Sequence, residues 1–292
     1  MRSEARAALF FLAPALTVIL VFFLLPVAAG FFLSLTDFDI YALADWRNIR
    51  FVGVSNYGTL AQSPVFWAAL RNTLLFAILA GPLTVCVSLG AALLLNAALS
   101  PWKPLFRTIF FAPVVTTLVA VAIVWKYIFH PRFGLLNTFL GWFGILPIDW
   151  LGDPRWALPA IAILAVWKNF GFNMIIFVAG LQSVPDELYE AARIDGAGAL
   201  RQFRHITIPM LAPTFLFVGI ITAIGYLQLF AEPYVMTPEG GPLNSTLSVV
   251  MLMYREGFRW WSMGYAAAIA FVLFLIIAAV SVIQLRMRRS ET

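Results

Sequence analysis

Charged residues are scarce in this sequence. They make up 11% of its 292 residues, whereas ordinary soluble domains carry about 25%. Hydrophobic residues make up 62% of the chain. A chain with so few charges cannot cover a water-exposed surface, so the composition excludes a soluble globule and predicts an integral membrane protein.

Cysteine and histidine are almost absent. Cys86 is the only cysteine, which excludes an intramolecular disulfide and a cysteine metal site. The two histidines, His130 and His205, fall in segments that we predict to lie on opposite sides of the membrane, so no metal site can use both. We therefore predict no metal site on this chain.

Motifs for nucleotide binding and catalysis are also lacking. The sequence has no G-x4-G-K-[ST] loop to cradle phosphates, no G-x-S-x-G elbow and no H-E-x-x-H pair. We therefore predict that the chain is not an enzyme and carries no cofactor of its own. If ATP hydrolysis drives this protein, another polypeptide has to hydrolyse the ATP.

Six apolar runs have the roughly 20 residues that a helix needs to cross a bilayer. They cover about 9–35, 70–99, 105–129, 156–182, 210–232 and 262–285. The first run continues well beyond the apolar core of a cleavable signal, so we keep it as a membrane helix. We predict an all-α integral membrane protein with six transmembrane helices in a single domain over residues 1–292.

Arginine and lysine indicate the orientation. With a cytoplasmic N-terminus, ten basic residues fall inside: Arg2, Arg6, Lys103, Arg107, Arg193, Arg201, Arg204, Arg286, Arg288 and Arg289. Six fall outside: Arg47, Arg50, Arg132, Arg155, Arg255 and Arg259. Because cytoplasmic loops are enriched in basic residues, this bias predicts that both termini are cytoplasmic. The net charge of +5 is then a topology signal, and we predict no nucleic-acid partner.

The charged stretch between the fourth and fifth runs has the pattern of two short helices joined by a turn. Ser183, followed by Pro185 and Asp186, predicts a helix start with serine as its N-cap. Gly196 and Gly198 can both take the left-handed conformation that closes a helix. By composition alone, an ordinary interfacial loop helix explains the stretch.

Within this stretch, the first half carries a stripe of mostly small residues at helical spacing: Leu188, Ala191, Ala192 and Asp195. The second half places Leu200, Phe203 and Ile206 on an apolar face that can lie along lipid headgroups. Pro209 falls where the fifth membrane helix starts, in a first turn that needs no amide donor. The order is therefore helix, glycine turn, helix, membrane.

The residue order is more specific than the composition. The pattern E-A-A-x3-G-x9-I-x-I-P at residues 190–209 resembles the E-A-A-x3-G-x9-I-x-L-P signature of permease subunits from binding-protein-dependent ABC importers. Ile208 replaces the usual leucine, a swap that conserves volume. Residues 165–169 and 234–246 are similar to the carbohydrate branch of that family, the maltose and glycerol-phosphate type.

The resemblance implies that residues 184–209 form a coupling helix pair that docks into a cytoplasmic ATPase. The residues it assigns to that contact are Glu190, Ala191, Ala192, Asp195, Gly196 and Pro209. It also implies a type I importer architecture with a core over 71–285 in the bacterial inner membrane. The implied partners are a second permease subunit, a dimer of ATPase subunits that use ATP and magnesium, an extracytoplasmic solute-binding protein, and membrane lipid.

Polar residues inside the membrane runs mark a candidate solute path, because polar groups in a bilayer usually face a cavity or a neighbouring helix. The candidates are Lys168, Asn169, Asn173, Thr222, Tyr226, Gln228 and Glu232. Sugars need amide and hydroxyl partners with aromatic platforms, and this set contains both. The alternative is that Lys168 and Glu232 form a structural pair. For Thr84 and Ser88, hydrogen bonds within or between helices are the expected role.

Two other classes compete with a sugar-importing ABC permease. A secondary transporter driven by an ion gradient lacks support because no inverted repeat or broken-helix pair is detectable in the sequence. A membrane-embedded enzyme would need a cluster of catalytic side chains, which the sequence does not offer. We therefore predict the ABC permease, with the identity of the solute left open.

Overall fold

The structure, a computed structural model, describes residues 2–96 and 102–289. These residues are mostly helical, and the strand-like pairing among them is a single bridge between Thr36 and Phe51. The helices are α1 (Arg2–Ile19), α2 (Leu25–Ser34), α3 (Ile40–Ala44), α4 (Ser55–Gln62), α5 (Pro64–Asn96), α6 (Lys103–Val115), α7 (Leu118–Ile128), α8 (Leu135–Gly141), α9 (Ala157–Gln182), α10 (Asp186–Ile194), α11 (Ala199–Gln202), α12 (Ile208–Met210), α13 (Ala212–Leu227), α14 (Ala231–Met236), α15 (Val249–Tyr254) and α16 (Met263–Arg289). Three five-residue π-helical segments interrupt the α-helices: Leu20–Leu24, Phe203–Thr207 and Arg255–Arg259.

Five helical spans in the described residues are long and apolar enough to cross a membrane, and a bent pair of helices gives a sixth when it is counted as one span. The five are Phe10–Ser34, Pro64–Asn96, Ala157–Gln182, Ala212–Met236 and Met263–Met287. With the bent pair counted as the third span, Ala212–Met236 is the fifth span. The predicted all-α fold with six crossings is confirmed. The predicted end of the second run, residues 97–99, lies outside the described residues.

The third crossing is not the single helix that the sequence predicts over 105–129. It consists of α6 and α7, which meet at a bend of 99°. Between them Thr116 and Thr117 are extended, with ψ of 149° and 132°. Pro113 lies inside the last turn of α6, and a proline interferes with the helical hydrogen bonds of the turn before it. The Thr116 hydroxyl donates to the Pro113 carbonyl at 2.6 Å and so satisfies one acceptor at the break.

Close contacts divide the described chain into two compact units. The first comprises the described residues up to Trp67 together with Leu252–Leu275. Here the first span buries none of its most apolar window within the chain. The end of that span is tied down by Ser34, whose hydroxyl shares a 2.6 Å hydrogen bond with the Tyr57 hydroxyl. The rings of Phe31 and Phe271 pack with centroids 4.8 Å apart.

The second unit comprises Ala68–Met251 and the described residues from Ile276 onwards, and α9 is its most buried span. Two glycines let neighbouring helices approach α9. A Cβ at Gly171 would collide with the Phe110 backbone of α6, and one at Gly180 would collide with Thr214 and Leu211. Small residues at such crossings let the helix backbones approach closely. Van der Waals packing between them then drives association, because the hydrophobic effect does not act between helices in lipid. Helix α9 therefore packs closely against both α6 and the start of α13.

Candidate functional site

Residues 184–209, called the coupling segment after their predicted role, begin differently from the prediction. Helix α10 starts at Asp186, and its N-cap is Pro185, which offers no side-chain cap. The predicted cap, Ser183, instead ends α9, where its hydroxyl donates to the Gly180 carbonyl at 2.7 Å. The serine cap is wrong because only three residues separate α9 from α10, and Ser183 is the C-cap of α9. Asp186 and Glu187 in the first turn of α10 complement the helix dipole instead.

Gly196 closes α10 in the conformation that the sequence predicts. Its φ is +76°. The amide of Ala197 donates to the Ala192 carbonyl at 2.8 Å, and that of Gly196 donates to the Arg193 carbonyl at 3.1 Å. These two bonds define a Schellman motif, which a left-handed glycine allows. Gly198 does not share this role, because its φ is −69° and it caps the start of α11.

The second half of the coupling segment runs directly towards the fifth span. Helix α11 leads through the π-helical segment Phe203–Thr207 into α12, which contains Pro209 in its first turn. The Gln202 side chain donates to the Ala197 carbonyl at 2.7 Å and braces the glycine turn. The Tyr189 and Thr207 hydroxyls are bonded at 3.0 Å. The two halves are thus held to each other and to the base of the fifth span.

The tip of the coupling segment is exposed and partly apolar. Glu190, Ala191, Asp195, Gly196 and Pro209 are exposed, and Ala192 is half-buried. Ile194 and Leu200, on either side of the glycine turn, are 87% and 80% exposed. The sequence prediction did not single out Ile194, although an isoleucine at the end of an exposed helix in which four of nine residues are charged signals a contact surface. This surface can take a partner with an apolar pocket.

A second candidate site is a cavity of about 350 Å³ between α9 and the fifth span. Six of the seven predicted path residues line it: Asn169, Asn173, Thr222, Tyr226, Gln228 and Glu232. The rings of Phe172 and Phe230, which the prediction missed, also line it. The cavity therefore combines amides, a hydroxyl and a carboxylate with aromatic faces.

Some of these polar groups already have partners within the chain. The Asn173 amide donates to the Thr222 hydroxyl at 2.9 Å, and the Asn169 amide donates to the Ala165 carbonyl at 2.9 Å. The Tyr226 hydroxyl shares a 2.6 Å bond with the Thr84 hydroxyl. As expected, the Thr84 and Ser88 hydroxyls also bond to backbone carbonyls of their own helix. Gln228 has no side-chain hydrogen bond to any described residue and is exposed, so its amide is available to a solute.

Lys168 does not line this cavity. Its ammonium group donates to the carbonyls of Pro113, Val114 at 3.0 Å and Thr116 at 2.7 Å. These carbonyls end α6 at the bend of the third crossing, where the helix dipole favours a cation. The Glu232 carboxylate attracts the same ammonium. The partner that a lysine in the membrane requires is therefore mainly the broken end of a neighbouring helix.

The comparisons with known proteins identify the family. Residues 84–290 match the model of the binding-protein-dependent transport system inner membrane component. The chain belongs to this family. The lactose transport system permease protein LacF of Rhizobium radiobacter is 40% identical over 278 residues, which cover 94% of this permease and 91% of LacF. The arabinooligosaccharides transport system permease protein AraP of Bacillus subtilis is 36% identical over 289 residues, which cover 99% of this permease and 90% of AraP.

A solved structure supports the same fold. One chain of a bacterial ABC transporter involved in the import of the acidic polysaccharide alginate superposes with a TM-score of 0.78 at 23% identity, covering 100% of this permease and 98% of that chain. At this identity the likeness shows the fold alone. The predicted type I permease architecture is confirmed.

Family membership decides between the competing functions. The protein is a membrane permease subunit of an ABC importer that depends on a solute-binding protein, and the gradient-driven alternative falls away. The sequence argument against that alternative concerned two broken helices in corresponding positions of two halves. The described residues contain one bent pair, at the third crossing, so the structure does not contradict that argument.

Proposed function

We propose that this permease carries a sugar or sugar-like solute across the bacterial inner membrane. The observation that carries the proposal is the cavity lined by Asn169, Asn173, Thr222 and Gln228 beside aromatic rings. Amides and hydroxyls match the donors and acceptors of a sugar, and aromatic faces match its C–H surfaces. The relatives LacF and AraP, named for lactose and arabinooligosaccharide transport, support the same substrate class.

The proposal extends to the assembly. A second permease subunit completes the pathway, and a cytoplasmic dimer of ATPase subunits binds ATP and magnesium. The surface formed by Glu190, Ala191, Ala192, Asp195 and Gly196 docks into the ATPase, with both termini of this chain on the same cytoplasmic side. ATP binding closes the ATPase dimer, the coupling segments approach each other, and the cavity opens outward to receive solute from the binding protein.

The substrate class is tested with the assembled transporter in liposomes and its solute-binding protein outside. We expect a sugar from a panel of mono-, di- and oligosaccharides to stimulate ATP hydrolysis, whereas amino acids do not. The sugar for the panel is chosen by the thermal shift of the binding protein. Stimulation by an amino acid instead of any sugar would contradict the proposal.

The variant Gln228→Ala tests whether the cavity contacts the solute. Losing one neutral hydrogen bond, about 0.5–1.5 kcal/mol, raises the half-saturating concentration of the solute-loaded binding protein by up to about tenfold. The matched control is Gln182→Ala, which removes an exposed glutamine at the end of α9 that does not line the cavity. Equal kinetics for the two variants would remove Gln228 from the solute path.

A further inference from the structure

A second, larger cavity lies near the start of α5, away from the coupling segment and the solute cavity. Its volume is about 650 Å³. Three parts of the second unit line it, namely one face of α5, the residues just before and at the start of α9, and a turn between α14 and α15. The lining residues are Ala68, Arg71, Asn72, Leu75, Ile78, Leu79, Pro154, Arg155, Leu158, Pro159, Leu243, Asn244 and Ser245.

The rim of this cavity is basic. Arg71 and Arg155 line it, and no acidic residue does. The Arg71 side chain is exposed and makes no ion pair or hydrogen bond to a described residue. Arg155 donates to Asp153 at 3.2 Å, and these bonds hold the pKa of Asp153 below its usual value. The side chain of Arg155 is nevertheless 85% exposed, so its guanidinium keeps donors for a second anion.

The wall below the rim is apolar and faces outward. Leu75, Ile78 and Leu79 follow Arg71 at helical spacing and are 44%, 69% and 46% exposed. Helix α5 has 33 residues and is therefore about 50 Å long, which exceeds the roughly 30 Å of a bilayer's hydrocarbon core. Arg71, in the second turn of this helix, lies at headgroup level when the three apolar residues lie in hydrocarbon.

The turn that covers the cavity is held in a strained shape. Leu243 and Asn244 both have positive φ, 53° and 59°, a conformation that is costly for leucine. The Asn72 side chain fixes the turn by donating to the carbonyls of Asn244 at 2.7 Å and Leu247 at 3.1 Å. The adjoining Ser245 hydroxyl oxygen is buried and has no hydrogen-bond partner among the described residues. Buried hydroxyl groups in proteins normally have a hydrogen-bond partner. Because Ser245 lines the cavity, a molecule bound there can supply that partner.

We propose that this cavity binds one anionic phospholipid, with its phosphate between Arg71 and Arg155 and an acyl chain along Leu75, Ile78 and Leu79. The occupant is a lipid rather than a solute because the apolar wall continues from the basic rim down the membrane face of α5. Guanidinium groups suit phosphate because they donate several hydrogen bonds in one plane. With the cytoplasmic N-terminus proposed above, the start of α5 faces outside, so the lipid belongs to the outer leaflet.

The test measures which lipids remain bound to the assembled transporter. The complex is placed in nanodiscs with equimolar phosphatidylglycerol and phosphatidylcholine, re-extracted in mild detergent and analysed for retained lipid by mass spectrometry. We expect phosphatidylglycerol to be enriched. Arg71→Gln should lower the enrichment about fivefold, because one basic side chain contributes about that factor to binding at an anionic lipid surface. Asp153→Asn should raise the enrichment because it frees Arg155. The control Arg132→Gln removes an exposed outer arginine that does not line the cavity and should change nothing.

A second measurement asks what covers the wall. The variant Ile78→Trp places a fluorophore on the wall, and brominated phosphatidylglycerol should quench its added emission more than brominated phosphatidylcholine does. Added emission that neither brominated lipid quenches would show that another subunit covers the wall, and would overturn the proposal. Equal retention of both lipids, or enrichment that survives Arg71→Gln with Arg155→Gln, would also overturn it. None of these readouts depends on the transported solute, so they stand or fall separately from the sugar assignment.

Discussion

Replacing Gly196 by serine uncouples the transporter. At φ of +76° a residue with a Cβ costs about 1–2 kcal/mol. This cost shifts the conformational equilibrium of the turn away from its native shape by about 5–30-fold. No atom lies within 4 Å of the Cβ position, so the variant is strained rather than sterically blocked. We expect the subunit to assemble normally while solute-stimulated ATP hydrolysis falls to near the basal rate.

The chain provides a matched control two residues away. Gly198 also has an open Cβ position, but its φ is −69° and it is the N-cap of α11. Serine is a favoured N-cap residue, so Gly198→Ser should keep full stimulation. If both serine variants hydrolyse ATP like the wild type, the left-handed turn is not needed for coupling.

The carboxylate of Glu190 is tested in the same assay. Glu190 is exposed and makes no hydrogen bond or ion pair to a described residue, so Glu190→Ala should leave the thermal stability of the subunit unchanged. Truncating one partner of a charge pair that becomes buried in an interface costs about 2–5 kcal/mol, and we expect stimulation to be lost. Glu187→Ala, an exposed glutamate of the first turn, is the control. Retained coupling in both Glu190→Ala and Gly196→Ser would remove the docking role from this surface.

Replacing Lys168 by methionine destabilises the permease and abolishes transport. The ammonium group satisfies three carbonyls where α6 ends, those of Pro113, Val114 and Thr116. Methionine has a similar length but no donor. The Val114 and Thr116 carbonyls would lose the ammonium donor in a region that lipid cannot hydrate, whereas the Pro113 carbonyl would keep the Thr116 hydroxyl. Because one acceptor without a partner costs about 1–3 kcal/mol, we expect the midpoint of thermal unfolding to fall clearly in detergent, and solute uptake in liposomes to stop.

Three further variants separate the possible causes. Lys168→Arg keeps donors and should retain most of the stability. Lys126→Met removes an exposed lysine near the end of α7 and should behave like the wild type. Glu232→Gln removes the attracting carboxylate, so an effect as large as that of Lys168→Met would mean that the Lys168 and Glu232 charges form the essential pair. Unchanged unfolding of Lys168→Met would show that the bend of the third crossing does not depend on this lysine.

The local features of the candidate sites were predictable because they rest on short-range geometry. Gly196 has the left-handed conformation that a glycine directly after a helix indicates. Asn169 and Asn173, four residues apart, share the cavity-facing side of α9. Lys168 was grouped with them because it is polar, although adjacent residues of a helix point about 100° apart. Its side chain therefore extends to a different neighbour.

The errors arise where two elements compete for one residue. Ser183 has the character of an N-cap, yet the preceding helix reaches it first. The apolar run over 105–129 is continuous in hydropathy, and Pro113 followed by two threonines is the signal of a break that the prediction did not use. A proline alone does not decide this, because α5 continues through Pro82. Near Pro113, Lys168 of α9 donates to the carbonyls that end α6 and so stabilises the break.

By itself the sequence determined that this protein lies in a membrane, that its crossings are helical, and that the charged segment ending at Pro209 has the residue order of ABC permeases. These conclusions depend on composition, hydropathy and residue order, which are local properties of a chain in lipid. Only the tertiary structure decided that the third crossing is bent, that Lys168 binds the broken end of α6, and that six polar residues meet in one cavity. These depend on which donor reaches which acceptor across helices far apart in the chain, and that is set by how the helices pack.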